Sequence, residues 1–84
     1  MKTSSTIYRG KRLKELRENK NLSLRELADL VSKELGTSLS HSAIRRYEEG
    51  SACDIDILKA ICDVLDYDII ELMKECLVYD KHSK

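Results

Sequence analysis

The chain of 84 residues contains no proline, only three glycines and no long apolar run. Collagen-like, low-complexity and proline-rich linker sequences are therefore excluded, and strands separated by frequent turn residues are disfavoured. A membrane span needs about 20 consecutive apolar residues, and the opening MKTSST also lacks the apolar stretch of a signal peptide. We therefore expect a cytoplasmic chain that does not contact membranes.

The cysteines are too few and too poorly spaced for a disulfide framework or a zinc site. Cys53, Cys62 and Cys76 form no C-x-x-C pair, and the two histidines, His41 and His82, lie apart from them. The sequence also lacks phosphate-cradling glycines, paired carboxylates in an apolar setting and a neighbouring Cys–His couple. It therefore predicts no metal, no cofactor, no small-molecule ligand and no enzymatic activity.

The charges balance overall but are unevenly distributed along the chain. Lys and Arg number 15, as do Asp and Glu. Residues 1–50 carry eleven basic and seven acidic side chains, a net charge of +4, whereas residues 51–84 carry a net charge of −4. A polyanion would be attracted to the first part and repelled by the second, which orients its approach.

Capping residues and apolar spacing predict five short helices and no strands, in a domain with a single core. Ser23 and Glu26 form an S-x-x-E capping box at the start of the second helix, and Gly36 is suited to ending it. Asp54 and Asp68 are the predicted caps of the last two helices. The first three helices are expected to run from about Arg9 to Lys20, from Ser23 to Leu35, and from just after Ser40 to Gly50.

Apolar, capping and charged residues follow a characteristic order through the first three predicted helices. They are Leu13, Leu16, Arg17, Leu22, Ser23, Glu26, Leu27, Ala28, Ser40, Ser42, Ile44, Tyr47, Glu48 and Gly50. This order resembles the helix-turn-helix domain of the phage repressor and Cro-like family. The resemblance covers about residues 9–77 and implies a compact, all-α, five-helix domain that binds duplex DNA as a two-fold dimer.

The resemblance also sets the expected boundaries of the domain. We expect residues 9–79 to form it, after a flexible arm of residues 1–8 and before a flexible tail of residues 80–84. The interval from Ser23 to Ser40 is longer than is common in the family. The sequence therefore predicts either an extended second helix or an enlarged turn before the third helix.

Four polar residues of the third helix are the candidates for reading DNA bases: His41, Ser42, Arg45 and Arg46. The apolar residues of this helix face inward, which turns these four outward. Arg can bind guanine bidentately in the major groove, and Ser or His can donate or accept at base edges. In the family, the positions matching His41, Ser42 and Arg46 read bases, and that matching Arg45 reads a base or a phosphate. The alternative to base reading is that these four side chains form an ordinary solvated surface, or that Ser42 serves as a second helix cap.

Six further residues are candidates for contacting DNA phosphates. The start of the second helix presents backbone N–H groups to an anion, and Leu24 stands there where the family often has Gln. The Gly50 amide and Ser51 are possible donors, and basic side chains supply nonspecific attraction, unless they form only a solvated face. The set is Ser23, Leu24, Arg25, Gly50, Ser51 and Lys14.

The resemblance implies an ion pair between Arg17 on the first helix and Glu48 at the end of the third. Its role is structural, because it ties the DNA-reading helix to the rest of the domain. Removing one partner of a buried pair costs about 3–5 kcal/mol, whereas an exposed pair contributes less than about 1 kcal/mol. We expect this pair to be partly buried.

The fifth helix carries more apolar residues than a single domain can easily bury. Ile70, Met73 and Leu77 are the predicted homodimer interface, since contiguous exposed apolar residues often mark such a surface. A two-fold dimer would match a palindromic operator. The alternative is that residues 77–79 fold back over the first helix.

Together these features predict a sequence-specific, duplex-DNA-binding transcriptional regulator of the repressor type, which reads the major groove with residues 41–49. The alternative is a protein-interaction adaptor or anti-repressor of the same fold, which would use the acidic second half to bind another regulator.

Overall fold

The computed structural model describes the backbone of residues 4–82 and the side chains of residues 4–78. Within these residues the chain forms five α-helices and no strand: α1 (Ser4–Asn19), α2 (Leu24–Leu35), α3 (His41–Glu48), α4 (Ile55–Val64) and α5 (Ile69–His82). Helix α1 packs against α3 and α5, and α2 packs against α3 and α4. Among residues 4–82, no helix combines the length and apolar character that crossing a membrane requires.

The core lies where the five helices meet, and each helix contributes to it. Side chains of small and branched apolar residues fill it without any Phe or Trp. The largest fully buried members are Leu13 from α1, Leu27 and Val31 from α2, Ile44 from α3, Ile61 and Cys62 from α4, and Leu72 from α5. Because α3 is held by this shared core, its outward face has a fixed orientation.

Helix α1 begins at Ser4, five residues before the predicted start at Arg9. Residues 4–8 of the predicted flexible arm are thus helical, and residues 1–3 lie outside the described part of the chain. Tertiary contacts explain the difference. Ile7 packs on Gly50, where an added Cβ would lie 3.1 Å from Cγ1 of Ile7, and the Tyr8 hydroxyl donates to Oε1 of Glu75 at 3.1 Å. Local sequence does not reveal contacts over such separations.

Helix α2 begins and ends as the sequence predicts. The Glu26 N–H donates to Oγ of Ser23 at 3.0 Å, and the Ser23 N–H donates to Oε1 of Glu26 at 2.8 Å. Gly36 ends the helix in the left-handed conformation, with φ of 73°. The connection from α2 to α3 has five residues. A turn between two such helices usually has about three or four residues, so this connection is only slightly longer. The long interval from Ser23 to Ser40 is therefore due mainly to the 12-residue helix α2 and not to the turn.

Polar contacts fix α5 on α1. Glu75 accepts hydrogen bonds from the hydroxyl of Tyr67 and from Nε of Arg12, the latter at 3.3 Å. The Arg12 guanidinium also lies over the Tyr67 ring, 5.1 Å from its centre, which is a cation–π geometry. Helix α5 continues to His82, so the predicted tail of residues 80–84 is helical up to that residue, and residues 83–84 lie outside the described part.

The predicted caps of α4 and α5 behave differently. Asp54 precedes α4 but makes no side-chain capping hydrogen bond. Asp68 precedes α5, and its Oδ1 accepts from the Ile70 N–H at 2.9 Å, as a capping residue should. Helix α4 nevertheless starts directly after Asp54, because Ile57 and Leu58 in its first turn pack against the core.

Candidate nucleic-acid interface

Helix α3 presents one face to the core and the opposite face to solvent. Ser40 caps it, since its Oγ accepts from the Ala43 N–H at 3.2 Å. Ala43 and Ile44 are buried. The outward face carries the four predicted base-reading residues: His41 is half-buried, and Ser42, Arg45 and Arg46 are exposed. Neither arginine forms an ion pair with a described residue, so both guanidinium groups are available to a ligand.

A single serine on α2 holds the connection that leads into α3. The Ser32 hydroxyl donates to the Ala28 carbonyl oxygen at 2.7 Å, and its Oγ accepts from the Leu39 N–H at 2.8 Å. The last turns of α2 are thereby joined to the residue just before the α3 cap. The role of Ser32 is not visible in the sequence, because a serine within an apolar helix pattern gives no local sign of a partner seven residues away.

The Arg17–Glu48 ion pair joins α1 to the end of α3. Nε of Arg17 donates to Oε2 of Glu48 at 2.7 Å, and Nη2 donates to Oε1 at 3.1 Å. A third donor, Nη1, binds the Leu22 carbonyl oxygen at 2.7 Å. The side chains are only 10% and 7% exposed, more buried than the sequence suggests. The hydrogen bonds to Glu48 raise the pKa of Arg17 although burial lowers it, so the guanidinium stays charged.

Close approach of α1 to the end of α3 also depends on Gly10. A Cβ at this position would lie 2.7 Å from the Tyr47 carbonyl oxygen and nearer still to that of Glu48. Both neighbours are backbone atoms, which cannot move aside as a flexible side chain does. The sequence signal was present, since a glycine inside a helix often marks close packing, but the sequence does not show what it packs against.

The start of α2 retains two backbone donors for an anion. The capping box uses the N–H groups of Ser23 and Glu26, which leaves those of Leu24 and Arg25 in the first turn of the helix. The Leu24 side chain is half-buried against the core, whereas the Arg25 side chain is exposed. The structure thus brings together a helix N-terminus and an exposed cation, an arrangement that favours phosphate.

The loop after α3 contains Gly50 and Ser51, two of the predicted phosphate-binding residues, and their backbone N–H groups already have partners within the protein. Gly50 is buried, and its N–H donates to the Tyr47 carbonyl oxygen at 3.1 Å. The Ser51 N–H donates to the Arg46 carbonyl oxygen at 3.0 Å, and the Ser51 carbonyl accepts from Nη2 of Arg9 at 2.7 Å. These amides, the predicted phosphate donor of Gly50 among them, therefore serve to end α3. Only the Ser51 hydroxyl remains for that role.

Lys14 lies on the same side of α1 as the contacts with α3. Its position four residues after Gly10 and three before Arg17 places the three residues on one stripe of the helix. Its side chain is exposed and forms no ion pair with a described residue, unlike Arg12, which binds Glu15 and Glu75. Lys14 is therefore an exposed cation without an ion-pair partner among the described residues, on the stripe of α1 that contains Gly10 and Arg17.

The predicted dimer residues of α5 are exposed. Ile70 is 55% exposed, Met73 39% and Leu77 67%, and the neighbouring Val78 is 55% exposed. Leu77 and Val78 thus remain mostly exposed within α5, where Leu77 borders the same pocket as Ser5, Thr6 and Arg9 of α1, and the Tyr79 side chain lies outside the described residues. Within residues 4–82, no group of three His, Cys, Asp or Glu side chains is arranged to hold a metal ion.

Comparison with known proteins supports the same assignment. A family model described as helix-turn-helix matches residues 13–72, more than two thirds of the chain. No curated protein and no solved structure matches the chain. The matched segment starts within α1, contains α2 and α3 whole, and ends at Leu72 in α5, so it includes the outward face of α3. The chain belongs to the Cro/C1-type helix-turn-helix family of DNA-binding transcriptional regulators.

Proposed function

We propose that this regulator is a repressor that binds a palindromic operator as a homodimer and reads the major groove with α3. The observation that carries the proposal is the outward face of α3, where Ser42, Arg45 and Arg46 are exposed on a helix locked into the core by its other face. The major groove of B-DNA is about 12 Å wide and admits one such helix. A polar, doubly basic helix of this kind is suited to that groove.

The base-reading roles follow from position along the helix. Recognition helices contact bases mainly from their N-terminal turns, where His41 and Ser42 lie, with Arg45 and Arg46 one turn further. An arginine can donate two hydrogen bonds to O6 and N7 of guanine, and a serine or histidine can donate or accept at a base edge. We assign base contacts to His41, Ser42 and Arg46, and a base or phosphate contact to Arg45.

Phosphate contacts hold the domain in register over the groove. The N–H groups of Leu24 and Arg25 would bind one phosphate at the α2 N-terminus, assisted by the Arg25 guanidinium. Lys14 and the hydroxyl groups of Ser23 and Ser51 are the further candidates. The uncompensated cations lie in the first half of the chain, which has a net charge of +4, so the acidic second half would face away from DNA.

Dimerisation through Ile70, Met73 and Leu77 would supply the specificity that one small domain lacks. Two copies of α3 related by a two-fold axis would lie about 34 Å apart, which is one turn of DNA. Two linked half-site contacts bind far more tightly than either does alone. A dimer seated on an operator excludes other proteins from that DNA, which is sufficient for repression.

Selection from random-sequence DNA duplexes at low salt tests this function. The full chain should enrich a shared, palindromic sequence, and its affinity should fall steeply as salt is raised, because phosphate contacts release counterions. The matched control is the Arg45→Ala, Arg46→Ala double variant, whose exposed substitutions leave the core intact. Enrichment of no shared sequence by the wild type would overturn the proposal and favour the protein-interaction adaptor.

A further inference from the structure

The connection between α2 and α3 depends on one residue for several of its hydrogen bonds. The Ser32 carbonyl oxygen accepts from the N–H groups of Gly36 at 2.9 Å and Thr37 at 3.2 Å. The Oγ of Ser32 accepts from the Leu39 N–H at 2.8 Å. Three of the five backbone N–H groups of residues 36–40 are therefore bound to Ser32.

The hydroxyl of Ser32 makes the contact that an alanine at this position would lose. It donates its hydrogen to the Ala28 carbonyl oxygen at 2.7 Å, which leaves the lone pairs of Oγ to accept from Leu39. Leu39 packs against the core, and its N–H is partly buried. Without the hydroxyl this N–H would lose its partner where access to water is limited, which is unfavourable.

Helix α3 needs a contact at this end because the core holds it mainly near its middle. It has eight residues, and its buried residues are Ala43 and Ile44. A short helix anchored near its middle can pivot unless its ends are also held. The ion pair with α1 holds its C-terminal end, and the bond from Leu39 to Ser32 holds the backbone just before its N-terminal end.

We propose that Ser32 is a positioning residue, whose hydroxyl fixes the orientation of α3 and thereby sets the base preference of the regulator. The effect on base preference rests on the proposed function of α3 as the base-reading helix. Hydrogen bonds to base edges depend on direction, so a pivoting helix would discriminate less between base pairs. The backbone donors at the start of α2 would keep their positions, because the Ser23 capping box holds them.

Nuclear magnetic resonance of the free protein tests the effect on α3. In Ser32→Ala the Leu39 amide should exchange with solvent about tenfold faster, because one hydrogen bond is lost. The residual dipolar couplings of α3 should decrease as the helix pivots, while those of α4 stay unchanged. Ser32→Thr should behave as the wild type, since a threonine hydroxyl in a helix can bond the same carbonyl four residues earlier. Glu34→Ala, an exposed neighbour on α2, is the matched control.

Affinities for the selected duplex and for duplexes changed at single base pairs test the effect on base preference. In Ser32→Ala the ratio of these affinities should fall by about fivefold or more at a base pair read from the start of α3. Ser32→Thr and Glu34→Ala should keep the wild-type ratio. A smaller folded fraction would weaken binding to every duplex by the same factor, so the ratio separates the orientation of α3 from the stability of the domain.

Unchanged Leu39 exchange, unchanged α3 couplings or unchanged discrimination in Ser32→Ala would overturn the proposal, and so would equal effects in Ser32→Thr. Failure of the proposed DNA-binding function gives a different result. In that case the wild type selects no DNA sequence, while Ser32→Ala still changes the Leu39 exchange and the α3 couplings, so that Ser32 positions α3 for another ligand.

Discussion

Arg17 and Glu48 form the most buried ion pair in the described part of the chain. Glu48→Ala would leave a buried, charged guanidinium with only one carbonyl partner, so we expect it to lower the free energy of unfolding by about 3–5 kcal/mol. The matched control is Asp63→Ala, which breaks the exposed Lys59–Asp63 pair and should cost less than about 1 kcal/mol. Urea unfolding measures both, and similar losses would contradict the structural role.

Burial of the Cys62 thiol predicts a loss of stability in alkali. Burial raises the pKa of Cys62 from its ordinary value of 9.0 to about 11. The unfolded chain therefore releases this proton first, and the stabilising contribution, complete below pH 9, is lost as the pH rises towards 11. The urea midpoint of the wild type should fall more steeply over this range than that of Cys62→Ala. Parallel pH profiles would show that Cys62 does not contribute.

At the scale of helices, Gly10 sets the distance between α1 and the end of α3. An alanine at a helix interior normally stabilises by up to about 1 kcal/mol, but here its Cβ would collide with the backbone of Tyr47 and Glu48. We expect Gly10→Ala to destabilise by about 1–3 kcal/mol and to weaken DNA binding by displacing α3. Lys11→Ala, on the exposed face of the same helix, should have little effect. A Gly10→Ala variant as stable as the wild type would disprove this packing role.

The sequence predicted some elements better than others, for physical reasons. The bounds of α2 and α3 depend on local signals, the Ser23 capping box, Gly36 and the Ser40 cap, and these could be read directly. The start of α1 depends on contacts of Ile7 and Tyr8 with residues more than forty positions away. Such contacts leave no periodic pattern in the sequence.

The same distinction applies to the candidate site. The outward residues of α3 could be predicted, because helical spacing decides which side chains point away from the core. Of the hydrogen bonds that hold this helix in place, the Arg17–Glu48 pair was expected from the resemblance, but those of Ser32 and of the Gly50 and Ser51 amides were not, since these groups find their partners only in the folded chain. Helical spacing therefore predicted which side chains face outward from α3, whereas contacts such as that of Ser32 with Leu39 appear only in the fold.

At the scale of the whole molecule, the exposed apolar side of α5 predicts a homodimer. Sedimentation of the wild type at tens of micromolar should show a dimer, and the Ile70→Glu, Leu77→Glu double variant should be a monomer. Ile55→Glu is the matched control, because Ile55 is as exposed as Ile70 but lies on α4. A monomeric wild type, or a dimer that survives the double substitution, would show that α5 is not the interface.

The central claim is that the outward face of α3 reads DNA sequence, and one comparison tests it most directly. Affinities of the wild type, Arg46→Ala and Lys14→Ala are measured for the selected duplex, for duplexes changed at single base pairs, and for random DNA. Arg46→Ala should lose about 1–3 kcal/mol on the selected duplex and relax the preference at one base pair, whereas Lys14→Ala should weaken binding to every duplex alike. Equal losses on selected and random DNA for Arg46→Ala would contradict the claim.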